Sequence, residues 1–70
     1  MNAHYHAYLK TIGQRIMRAL TISGTITRND SRAQRASALY RAMGAQQLHG
    51  EARAFVGAYV MALWGYGGGI

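Results

Sequence analysis

The 70-residue chain has no cysteine and no proline, and only two acidic side chains, Asp30 and Glu51. The missing cysteines exclude disulfides and thiolate metal sites, two of the devices by which small domains compensate for a limited core. The missing prolines remove the residue that most firmly breaks a helix interior. Two carboxylates and scattered serines offer little for acid–base or nucleophilic catalysis. The same scarcity leaves eight Lys and Arg residues, seven of them Arg, and a formal charge of +6. A basic surplus attracts nucleic acid, an anionic membrane or an acidic protein face, and does not by itself choose among them.

Half of the residues are hydrophobic and 14% are charged, a composition that favours a packed domain over disorder. Alanine, leucine, methionine, arginine and glutamine favour helix. Apolar residues at Tyr5, Tyr8, Leu9, Ile12, Ile16, Ala19 and Leu20 recur at three-and-four spacing, which predicts an amphipathic helix over residues 3–20. Gly13 lies inside it, at a cost of about 1 kcal/mol relative to alanine. The stretch TISGTITRN breaks the pattern, and Ile22 and Ile26 are expected either to enter the core or to pair as extended chain. Ser31 followed by Gln34 reads as a capping box and starts a second helix.

Along that second helix Ala33, Ala36, Leu39, Tyr40 and Met43 share one face, whereas Ala45, Leu48, Ala52, Phe55, Tyr59, Ala62 and Leu63 form another stripe. A single helix over residues 31–64 would set the two stripes roughly 130° apart, so the chain is expected to turn between them. Gly44 is placed as a positive-φ cap, with Gly50 as the competing break point. The expected fold is all-α. It comprises one domain over residues 1–70, with helices at 3–20, 31–43 and 45–64 and a flexible glycine-rich end over 65–70.

From Ala54 to Ile70 the chain carries no charge. Its helical part ends at the glycines from Gly65 on, whereas a membrane crossing needs about 20 apolar residues. The third helix is nonetheless apolar on two sides. Opposite the stripe of Leu48, Phe55, Tyr59 and Leu63 lie Gly57, Val60, Met61 and Trp64, and a face of that size calls for cover. A homodimer interface through Gly57, Val60, Met61 and Trp64 is therefore expected, with the Ala54, Ala58 and Ala62 ridge permitting close helix approach.

Chemistry-bearing residues are sparse. His4 and His6 stand about 200° apart on a helix and cannot chelate one ion there, and His49 is alone. No metal or cofactor is expected. Asp30 belongs with the polar start of the second helix and Glu51 with the first turn of the third, where a negative charge meets the helix dipole. GYGGG lacks the strand, the Lys-Ser/Thr and the following helix of a phosphate loop. An enzyme is not expected. Arg28, Arg32, Arg35 and Arg41, with Tyr40, form the candidate partner-binding set, while Arg15 and Arg18 end the first helix. Arg41 projects away from Arg32 and Arg35, so a basic rim on an apolar core is favoured over a DNA surface. The opening MNAHYHAYLKTIG lacks the cationic flank and apolar run of a secretory leader, and a cytoplasmic protein is expected.

The stretch RAQRASALYRAMGAQQLHGEARAFVGAYV, residues 32–60, resembles the small regulators of the ANR and PerC-like groups. Ala36, Ala38, Leu39 and Tyr40, then Glu51, Ala52, Arg53, Ala54 and Phe55, carry the likeness. Position 40 has Tyr where the family pattern has Trp, and residues 1–30 lie outside the likeness. The resemblance implies a bacterial or phage accessory protein that binds a transcription regulator and alters its activity. The functional expectation is thus a non-catalytic regulator acting through a protein partner. A basic nucleic-acid-binding module is the alternative, and a membrane-active peptide the third.

Overall fold

The computed structural model describes residues 3–65 as three helices, α1 (Ala3–Ile22), α2 (Arg32–Ala45) and α3 (Gly50–Gly65). The all-α expectation holds, and no strand occurs among the described residues. The glycine-rich end expected to be flexible lies, beyond Gly65, outside the described residues.

Side-chain pairs set the directions of the helices. His6 stacks on Phe55 with ring centroids 4.7 Å apart, Gln14 Nε2 donates to the Tyr59 hydroxyl at 2.9 Å, and Gly13 abuts Val60. Numbers rise together along both helices, so α1 and α3 run parallel. Tyr40 and Met43 meet Gly57, and Arg32 lies near Gly65, so α2 runs antiparallel to α3. The core between them contains Leu9, Ile16, Leu39, Met43, Val56, Val60 and Trp64, with Ile26 added from the first loop.

The two loops are fixed by local hydrogen bonds. After α1, the Ile26 amide donates to the Leu20 carbonyl at 3.2 Å, which turns the Ile26 side chain inward while Ile22 stays 78% exposed. The Asp30 carboxylate accepts from the Thr27 amide and hydroxyl at 3.0 and 3.1 Å, so it closes this loop. The expected capping box is present: Ser31 Oγ accepts from the Gln34 amide at 3.1 Å and the Ser31 amide donates to Gln34 Oε1 at 2.7 Å.

The second turn departs from expectation. Gly44 remains inside α2 and is not the positive-φ cap. That conformation falls on Gln47, at φ 59°. The Gln47 amide donates to the Gly44 carbonyl and the Leu48 amide to the Met43 carbonyl, both at 3.0 Å, the paired bonds of a Schellman motif. The motif consumes residues 46–48 and delays α3 to Gly50, itself at φ 57°. Leu48, the residue after the left-handed one, packs half-buried against the core.

The face of α3 expected to pair with a second copy is instead inside the chain's own core. Gly57, Val60 and Trp64 are buried, and Met61 is half-buried against them. The physical reason is that α3 is wedged between two neighbours: Tyr59 and Val60 meet α1 at Gly13, and Gly57 meets Tyr40 and Met43 of α2. Both apolar sides are thereby covered without a partner. What faces out is Glu51, Arg53 and the small Ala54, Ala58 and Ala62.

Gly13 gains a role that propensity does not give it. A Cβ there would stand 3.0 Å from Tyr59 Cδ2 and 3.1 Å from Val60 Cγ2. The missing side chain is what lets α1 and α3 approach at this crossing.

Candidate protein-binding surface

The five residues expected to bind a partner do not form one patch. Arg28 is exposed in the first loop, and Arg32 is exposed at the start of α2 beside Gly65. Arg35 is half-buried and turned back on that loop, with Nη2 donating to the carbonyls of Thr27 at 3.5 Å and Arg28 at 3.3 Å. It braces the loop and is not presented to solvent as a partner contact would be. Tyr40 is 43% exposed and leans toward α3, where the Arg53 guanidinium sits 4.9 Å from its ring centroid. This cation–π pair brings in a residue, Arg53, that spacing on α2 alone does not reveal. Arg41 is exposed.

A different surface opens between α1 and α2. A groove of about 460 Å³ has Ile12, Ile16, Ala19 and Leu20 on one side and Ala42 and Gln46 on the other, with Arg15 at its rim. The α2 side of the groove is lined by the short Ala42. Large apolar groups continue past both ends of the groove along α1. Tyr8 is 60% exposed, its ring 6.4 Å from that of Tyr5, and Ile22 is the most exposed large hydrophobic of the described residues. Sequence spacing merges Tyr5 and Tyr8 with the buried positions into a single stripe and leaves Ile22 out of it. In the structure α1 has two: Leu9, Gly13 and Ile16 buried in the core, with Gly13 against Tyr59 and Val60 of α3, and an outer edge carrying Tyr8, Ile12, Arg15, Ala19 and Ile22.

His6 serves packing, in its stack on Phe55, and among the described residues no three His, Cys, Asp or Glu side chains gather as a metal site. No helix of the described residues is long and apolar enough to cross a membrane. Comparison with protein-family models, characterised proteins and solved structures finds no match.

Proposed function

We propose that this protein is a small non-catalytic regulator that acts by occupying a surface of another protein. The observation that carries this reading is the outer edge of α1: Tyr8 and Ile22 stay exposed in a bundle whose core is otherwise complete, on either side of an apolar groove rimmed by Arg15. Isolated exposed hydrophobics are ordinary, whereas a continuous apolar strip beside a cleft characterises interaction sites. The resemblance of residues 32–60 to ANR and PerC-like regulators supports a transcription regulator as the target. The cytoplasm is the compartment that goes with such a partner. A homodimer through Gly57, Val60, Met61 and Trp64 is no part of this proposal, because three of those residues are buried in the monomer.

The surplus of cations favours one competing reading, a nucleic-acid-binding module. Counterion release separates the two, since binding to phosphates weakens steeply with salt and an apolar protein contact does not. Immobilised protein is exposed to a lysate of its source organism, with and without nuclease, at low and moderate salt. A protein retained through nuclease and salt treatment is the expected result. Retention of nucleic acid alone, lost as salt rises, would overturn the proposal.

A further inference from the structure

Tyr5, Tyr8, Ile12, Arg15, Ala19 and Ile22 follow one another along α1 at intervals of three, four, three, four and three residues. This is the a/d spacing of a helix that packs lengthwise against another helix. The inner stripe of α1 already uses that spacing to pack into the core, with Gly13 against α3, so α1 carries two such seams; the outer one is exposed except at Ile12, which is half-buried. From Tyr5 to Ile22 the outer seam spans roughly 25 Å at 1.5 Å per residue. It extends about two turns beyond the end of the groove at Ile12 and about half a turn beyond the end at Leu20. A compact small molecule would fill the groove and leave Tyr8 and Ile22 uncovered; an elongated occupant covers all of it.

Charge decides which helix fits. Arg15 stands near the middle of the seam, and Arg18 is exposed one turn on. The chain has eight cations and two acids, and one of those acids, Asp30, is engaged by Thr27. In a symmetric antiparallel pairing of two copies through this seam, each Arg15 would lie near its counterpart, in an interface with no acid to separate them, an arrangement that like-charge repulsion opposes. An occupant carrying Asp or Glu at its own central seam position turns the same arginine into a charge-assisted contact, for which the Arg fork is well suited.

We infer that the α1–α2 groove is the docking site for an amphipathic α-helix of a partner protein, with apolar residues at three-and-four spacing and an acidic residue placed against Arg15. The inference rests on the protein-binding reading above and specifies its surface. Ile12, Ala19 and Ala42 receive the apolar side chains, Tyr8 and Ile22 grip the two ends, and Arg15 sets the register.

The test uses three synthetic peptides of about 21 residues, long enough to cover the seam. One is an amphipathic helix with leucine at a/d positions and glutamate at the central one. The second has lysine at that position, and the third is a scrambled peptide of the same composition and charge as the first. Amide chemical shifts of the full-length protein locate binding, and calorimetry measures it. The glutamate peptide should perturb α1 and α2 around Ile12, Ala19 and Ala42, and the scrambled peptide should not bind. Tyr8→Glu and Ile22→Glu, at exposed positions that leave the fold intact, should each weaken binding at least about tenfold. Arg15→Glu should invert the preference between the glutamate and lysine peptides, a reversal that a damaged fold cannot produce.

Equal binding of the glutamate and lysine peptides, or an unchanged preference in Arg15→Glu, would overturn the inference. So would shifts confined to another face, or a dimer of the protein that Tyr8→Glu and Ile22→Glu dissolve. If the groove fails while a captured protein partner maps to another surface, only this inference falls. If the chain retains nucleic acid alone, the protein-binding reading falls as well.

Discussion

Alanine substitution at two glycines inside helices should have opposite signs, and the contrast tests the packing directly. Gly44 lies within α2 with nothing within 4 Å of where a Cβ would stand. Gly44→Ala removes backbone freedom from the unfolded chain at no steric cost and should stabilise by about 0.4–1 kcal/mol. Gly13 lies within α1, but its Cβ would stand 3.0 Å from the Tyr59 ring and 3.1 Å from a Val60 methyl. Val60 is fully buried, and the Tyr59 hydroxyl is tied to Gln14, so neither neighbour yields freely. A helix-propensity gain of about 1 kcal/mol is set against an overpacking cost of about 1–3 kcal/mol, for a net loss near 1 kcal/mol at Gly13→Ala. For a domain of this size each kcal/mol moves Tm by about 4–8 °C. Trp64 is the only tryptophan and is buried, so its fluorescence reports unfolding in urea for both variants. If Gly13→Ala stabilises as much as Gly44→Ala, α1 and α3 do not cross at Gly13 and the packing described here is wrong.

Two further substitutions follow from local geometry. Gln47→Gly should stabilise by about 1 kcal/mol, the cost of holding an L residue in the left-handed region; a neutral or destabilising result in urea unfolding would place the end of α2 elsewhere. Trp64→Ala should cost about 3–5 kcal/mol by opening a cavity in the core. Trp64→Phe should cost under about 1.5 kcal/mol, because the lost indole N–H is buried with no acceptor among the described residues and its burial is unfavourable. Thermal unfolding followed by circular dichroism ranks the pair, and equal losses would contradict the buried position of Trp64.

The helices and the cap of α2 were legible in the sequence because they are local. Ser31 and Gln34 carry the whole capping box within four residues, and the apolar spacing of α1 needs no knowledge of its neighbours. The end of α2 was less legible. Gly44 is the residue a left-handed cap prefers, yet Gln47 takes that conformation because the Leu48 side chain must reach the core. The least legible feature was which face of α3 lies deepest. A helix apolar on two sides reads the same whether its second side meets another chain or another helix of its own. Here the short Gly13 and Gly57 let α1 and α2 close on both sides, and only tertiary geometry shows it. The candidate site followed suit. Arg35 looks free on a helical wheel, but its guanidinium is bound to loop carbonyls, while the outer seam of α1 was hidden within one merged stripe.

Sedimentation equilibrium of the wild-type chain across the micromolar range tests most directly whether the bundle closes its own core and leaves the α1 seam for a foreign helix. A single species of 7.7 kDa at every concentration is predicted. A mass that rises to twice that value with concentration would contradict the account, and would return the uncovered surface to a second copy of this chain.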